Sequence, residues 1–447
     1  MDVFIKILQL ILSLSILVLF HETGHFMFAK LFKVKVEKFY IFFDAGFSLF
    51  KFRKGDTEYG MGWIPFGGYV KIAGMIDESL DLKQMKEEPK PWEFRSKPAW
   101  QRLLIMAGGV IVNVVLAFFI YIMVLYSWGE AYLPMENVKY GVVCDSAFIN
   151  IGLRDGDKIL SIDQRKLERF SDIIPEILLN KSKTVQVERE GHLLTIPIPE
   201  TFINEILDIS SRSYKVPMLI APRIKTDGLL VRGFTDHSPA YDAGMRVGDT
   251  LLAIDNMPIV FADDLRTAMK KRKSDIVETV VLRNKDTLHY SFLLREDGLM
   301  GVEYSLLKQL EYAVKYYSFV ESVPAGIKMG VGELRSYVKQ LKLIFSSGTK
   351  VAKSVGGFGS IANVFPGVWN WHSFWVLTAL ISIMLAVMNI LPIPALDGGH
   401  VLFLLYEIIT RRKMNEKFME YAQIGGMMFI LALFILANMN DVIKFFR

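Results

Sequence analysis

Apolar residues in this 447-residue chain gather into four long runs instead of spreading at the spacing of a soluble core. The first covers about 3–28 and the second about 103–126, from Leu103 to Tyr126, without a charge. The third, about 373–396, is also uncharged; the fourth, about 421–439, contains Gly425-Gly426, which reads as an interruption. A helix needs about 20 such residues to cross a bilayer. The pattern therefore predicts a multi-pass α-helical membrane protein with about four transmembrane helices.

Between the runs the pattern changes. Phe39–Phe43 and Phe47–Phe52 are aromatic-rich and strand-like. After Gly55-Asp56, residues 58–74 mix aromatic and apolar side chains with Gly60, Gly62, Gly67, Gly68 and Gly74. This reads as a membrane-associated β-loop, because irregular backbone at membrane depth is tolerated only against protein or a wet cavity. Residues 77–98, rich in Asp, Glu and Lys and carrying Pro89, Pro91 and Pro98, read as a polar connector. From about 306 to 345 a helical pattern is expected, broken at Pro324, as interfacial helices.

Residues 152–163 and 244–255 form an internal repeat. Gly152-Leu-Arg-Asp-Gly-Asp-Lys-Ile-Leu-Ser-Ile-Asp163 matches Gly244-Met-Arg-Val-Gly-Asp-Thr-Leu-Leu-Ala-Ile-Asp255 at Gly, Arg, Gly, Asp, Leu, Ile and Asp, with an offset of 92 (244 minus 152). Each copy leads into an alternating strand and then a helical stretch, Ser171–Leu179 and Ala262–Lys271. Both copies resemble the PDZ domain, an α+β fold that accepts an extended peptide as an added strand. The expected organisation is a membrane part at 1–134, PDZ-like domains at 135–222 and 223–305, a connector with interfacial helices at 306–372, and a second membrane part at 373–447.

Composition and charge narrow the function. The chain is 52% hydrophobic with mean hydropathy +0.31. Its net charge of +5 comes without dense basic runs, so no nucleic-acid partner is expected. The single cysteine, Cys144, excludes an intramolecular disulfide. The N-terminus lacks the basic start and small-residue cleavage site of a signal peptide. Lys30, Lys33, Lys35 and Lys38 follow the first run, and Arg411, Arg412 and Lys417 follow the third. By the positive-inside rule both connections face the cytoplasm, and 127–372 faces out with both termini.

The chemistry enters at His21-Glu22-Thr23-Gly24-His25, an H-E-x-x-H motif at the end of the first run. Residues four apart share a helix face, so His21 and His25 can offer two imidazoles to one zinc ion. Glu22 is placed to take a proton from the attacking water. Burying these groups in a membrane segment is costly, which favours a functional site. A catalytic zinc needs a third protein ligand and an open position. Asp397 is the only carboxylate between Glu333 and Glu407, follows Pro392 and Pro394, and precedes Gly398-Gly399. It is the expected third ligand; its bland alternative is a helix cap. His400 is a candidate partner of the ligands rather than a ligand.

These motifs resemble the site-2 protease family of intramembrane zinc proteases, nearest to the bacterial regulator-of-sigma-E branch with tandem PDZ domains. The resemblance rests on the H-E-x-x-H helix, on Pro65-Phe-Gly-Gly-Tyr-Val-Lys71, on the repeat, and on Asn389-Ile-Leu-Pro-Ile-Pro-Ala-Leu-Asp-Gly-Gly-His400. The family's Gly-Pro-x-x-Asn is here Gly109-Val110-Ile111-Val112-Asn113. The resemblance implies one Zn2+ per chain and cleavage of transmembrane segments of single-span proteins, such as an anti-sigma factor or signal-peptide remnants. It also implies a place in the bacterial cytoplasmic membrane, with lipid around the helices and peptides or outer substrate segments at the PDZ domains. By analogy Asn389 and Asn113 contact substrate, although either amide can also join helices. Tyr69-Val70-Lys71-Ile72 is expected to pair with substrate as a strand edge. Two rival readings are a PDZ-bearing membrane scaffold whose zinc is structural and a metalloprotease of soluble loops.

Overall fold

The computed structural model describes residues 2–75, 88–206, 219–269, 272, 274–307, 310–345, 356–412 and 414–445. These form two compact units, one from 2–130 and 315–445 and one from 131–206 and 219–314. The first half of the expected polar connector at 77–98, residues 77–87, lies outside the described residues.

The first unit is helical with one small sheet. Its long helices are α1 (Asp2–Leu31), α2 (Ala99–Trp128), α3 (Phe319–Phe345), α4 (Trp371–Ile390), α5 (Asp397–Thr410) and α6 (Glu416–Phe445). Four are long and apolar enough to cross a membrane: α1, α2, α4 and the Lys417–Ile443 part of α6. α2 is central and packs on α1, α3, α4 and α5. Ala117, Ile120, Tyr121 and Val124 of α2 meet Ala379, Ile383 and Val387 of α4 in one buried cluster.

Three expectations change here. The third span stops at Ile390, not near 396, because Pro392 and Pro394 cannot donate a helical N–H. Gly425-Gly426 does not interrupt the fourth, as α6 runs through it. A Cβ at Gly426 would collide with the Pro394 carbonyl, so this glycine serves a close backbone approach inside a helix. The helix expected from 306 begins only at Phe319, after strands at Val302–Leu306 and Ala313–Lys315. It then continues through Pro324, which sits near its N-terminus and removes only one backbone bond.

The sheet holds β1 (Val36–Phe43), β2 (Phe50–Lys54), β3 (Thr57–Met61) and β4 (Ile64–Ile72) in the order β2-β3-β1-β4. β2 and β3 form a hairpin around Gly55, whose φ of 63° suits glycine. β1 runs parallel to β3 and antiparallel to β4. β4 is therefore an edge strand, and it packs beside α1.

The second unit contains two separate hydrophobic cores, one within 133–220 and one within 229–300. The sequence repeat is a structural repeat. Strand Lys158–Ile162 pairs with Thr184–Arg189 with a register shift between Ile159 and Ser161. Strand Thr250–Ile254 pairs with Ile276–Arg283 with a shift between Leu251 and Ala253, each 92 residues on. The glycines also match: φ is 107° and 96° at Gly152 and Gly156, and 110° and 96° at Gly244 and Gly248. A side chain would be strained at all four. The helices that follow run Ile173–Leu179 and Asp264–Met269.

Candidate metal centre

α1 is apolar and contains a single glycine, Gly24, inside the H-E-x-x-H motif. A Cβ there would strike the carbonyl of Gly108 on α2, and a Cβ at Gly108 would lie 2.7 Å from the carbonyl oxygen of Gly24. The pair lets two apolar helices touch backbone to backbone, the use of small residues in membrane helices. Gly109 carries this contact to the histidines. A Cβ on it would stand 2.5 Å from both His21 Cε1 and His25 Nε2.

The third element arrives from α4 and α5. α4 ends at Ile390, and the chain turns through Ala395, which holds a left-handed φ of 81°. Such a conformation is disfavoured for a non-glycine residue and is maintained by the surrounding fold. A Cβ at Gly399 would approach the Ile393 carbonyl oxygen to 2.7 Å, so the diglycine lets α5 start tight against the turn. Asp397 is the first residue of α5, where the helix dipole favours a carboxylate.

His21, His25 and Asp397 converge. His21 Nε2 lies 3.1 Å and His25 Nε2 3.4 Å from Asp397 Oδ2, and the two Nε2 atoms are 3.2 Å apart. Ligand atoms about 2.1 Å from a tetrahedral zinc are about 3.4 Å from one another. The triangle thus has nearly the edges that a bound zinc requires. Asp397 Oδ2 is buried without a hydrogen-bond donor, and His25 Nδ1–H donates to the Ile105 carbonyl at 2.8 Å. That bond leaves the His25 Nε2 lone pair free for the centre of the triangle. The residues fit zinc by donor type, spacing and the unpartnered oxygen.

The triangle opens onto a cavity of ≈ 610 Å³ lined also by Glu22, Asn389, His400 and residues 67–72. Asn389 Nδ2 is 3.4 Å from His21 Nε2. Tyr69, Val70, Lys71 and Ile72 all reach the cavity wall. Tyr69 is steadied by its hydroxyl, which donates to Asp44 Oδ1 at 3.1 Å. Asn113 is wholly buried beside His21, its Nδ2 3.2 Å from His21 Nδ1. His400 lines the cavity but stands outside the three-residue cluster. Gly109 stood in the sequence only as the start of the Gly109–Asn113 motif, and its contact with the histidines comes from the structure; the Ile105 carbonyl and Gln423 of α6, which also lines the cavity, had no place in the sequence reading. The signals available were a diglycine in a charge-free run and a glutamine in an apolar one.

Known proteins agree with this chemistry. Relatives in Borreliella burgdorferi (28% identical over 451 residues, 98% of each chain) and Treponema pallidum (28% over 464, 98% of this chain and 99% of that one) are each named "Putative zinc metalloprotease". One in Thermotoga maritima, with the same name, is 26% identical over 505 residues and 98% of each chain. The model of peptidase family M50 matches residues 9–433. With four membrane-length helices and this match across its length, the chain belongs to peptidase family M50, the site-2 proteases, and is a membrane-embedded zinc metalloprotease.

Proposed function

We propose that the chain cuts transmembrane segments of single-span membrane proteins, with His21, His25 and Asp397 as zinc ligands and Glu22 as the proton carrier. The observation that carries this reading is the ligand-spaced triangle on apolar helices, beside β4, the edge strand of its sheet among the described residues. When bound, zinc supplies Lewis-acid polarisation of the scissile carbonyl and makes water a nucleophile near neutral pH. Glu22 takes the proton from that water and returns it to the leaving amide nitrogen. A helical substrate must first open, and backbone groups left unpaired in lipid cost several kcal/mol each. Residues 69–72 of β4 offer a strand edge that replaces those bonds. Asn389, at the end of α4, is a further substrate contact.

In this reading the repeat domains, about 135–222 and 223–305, are PDZ domains that lie outside the cytoplasmic membrane of a bacterium. They bind peptide or the outer segments of substrates and restrict bulky ones. Cysteine labelling from either side of the membrane reads that orientation. The substrates fit regulated intramembrane proteolysis of an anti-sigma factor or removal of signal-peptide remnants. The scaffold alternative would need a fourth protein ligand to close the zinc site. Among the described residues the cluster has three members and faces a cavity, which supports catalysis instead.

The test is cleavage of a candidate single-span protein by wild type and Glu22→Gln. The variant is expected to keep zinc and lose about 10³-fold or more in cleavage, because an amide cannot accept the proton. Residual cleavage within tenfold of wild type would remove Glu22 from this role.

A further inference from the structure

α2 touches the two histidines through one stripe. Ile105, Gly109 and Asn113 lie four apart and so share a helix face. The Ile105 carbonyl meets His25 Nδ1, and Gly109 leaves room for both rings. Asn113 completes the stripe at His21, its amide 3.2 Å from His21 Nδ1. We infer that Asn113 is a positioning residue: its amide oxygen accepts the Nδ1–H of His21 and holds the tautomer that turns Nε2 toward the metal. This rests on the reading of His21 as a zinc ligand.

A neutral imidazole carries one proton, and a ligating Nε2 leaves it on Nδ1. In an apolar interior that N–H requires an acceptor. The amide of Asn113 is the group facing it, and the two ends of an amide occupy equivalent space. With Nδ2 toward His21, the ring nitrogen must accept and the proton moves to Nε2, pointing into the ligand triangle. In that arrangement Asn113 Oδ1 is also buried without a donor. Turning the amide gives Nδ1–H its acceptor and clears Nε2. Asn113 borders the cavity but is 0% exposed, with its amide within reach of His21. The Ser382 hydroxyl donates to the Asn113 carbonyl at 2.8 Å and pins α2 to α4 at this residue. His25 needs no such side chain, since a backbone carbonyl serves it.

The test is zinc affinity, measured by chelator competition on the full-length protein in detergent. Partners of this kind are worth about 10–100-fold in metal affinity. Asn113→Ala and Asn113→Leu are expected to weaken zinc by that factor. Asn113→Asp, which keeps an acceptor, is expected to stay within about threefold of wild type or to bind more tightly. Melting of the metal-free proteins reports folding separately; if the alanine variant fails to fold, the leucine variant, closer in volume, is read instead. Wild-type affinity in a folded Ala or Leu variant would overturn the role of Asn113 and leave the ligand set standing. A wild-type protein that binds no zinc would overturn the ligand reading itself.

Discussion

Asp157 and Asp397 each hold a buried carboxylate oxygen, and the two are treated in opposite ways. Asp157 is closed by protein: Arg189 donates to both oxygens at 2.7 and 2.8 Å, and the Arg154 N–H adds a third bond at 2.9 Å. Asp249, its counterpart in the second repeat, is closed identically by Arg283 and the Arg246 N–H. Asp397 Oδ2 faces two imidazole nitrogens and accepts no hydrogen bond. A carboxylate saturated by its own fold stabilises that fold; one left open is available to a cation. The same contrast holds for backbone. The central strand of the second repeat, Thr250–Ile254, is paired on both sides, whereas β4 is paired on one among the described residues.

Within this comparison the larger effect is expected at the open strand edge. Successive N–H groups along an antiparallel strand point alternately toward and away from its partner. Proline placed in turn at Tyr69, Val70, Lys71 and Ile72 should therefore give two classes. At outward positions it is expected to cut cleavage of a helical substrate by about 10²-fold with zinc retained, since it removes a pairing donor. At inward positions it should loosen the pairing with β1. A substrate carrying helix breakers at the cut site should partly recover. Wild-type cleavage by all four variants would show that β4 is not the pairing edge.

The closed carboxylates give a smaller effect of another kind. Asp249→Asn leaves Arg283 without its counter-charge and is expected to cost about 3 kcal/mol, the low end for a broken buried pair because the guanidinium reaches solvent. Hydrogen-exchange protection of Thr250–Ile254 in the full-length protein reads it, and zinc affinity should not change. The pH dependence follows. Burial pushes the Asp249 carboxyl up, but hydrogen bonds from Arg283 and the Arg246 N–H outweigh it and hold it below the usual range. Its folded value lies under the unfolded value of about 3.9, so its contribution is full above about pH 4 and fades as pH falls through the folded value. The asparagine variant should lack that part of the acid slope. An unchanged slope and unchanged protection would break the comparison.

Much of this was legible in the chain. Long apolar runs place α1 and α2 to within a few residues, and the H-E-x-x-H spacing fixes which helix face carries the histidines. The repeat survives as matching glycine angles and matching register shifts, because both depend on local backbone chemistry. Asp397 stood out as an isolated carboxylate after two prolines. Other features lie in contacts that a linear pattern does not carry. The order β2-β3-β1-β4 brings β1 beside β3 in parallel, past the intervening strand, so the edge position of β4 follows from tertiary pairing. Gly109 and Gly426 act through the side chain they lack, and the atoms they admit come from distant segments.

The central claim is that the open carboxylate belongs to a zinc site, and metal content tests it most directly. Purified full-length protein should carry one zinc per chain, and Asp157→Asn should carry the same. Asp397→Ala and the His21→Ala, Asp397→Ala double variant should lose it while remaining folded. Full zinc occupancy in the folded double variant would contradict the account.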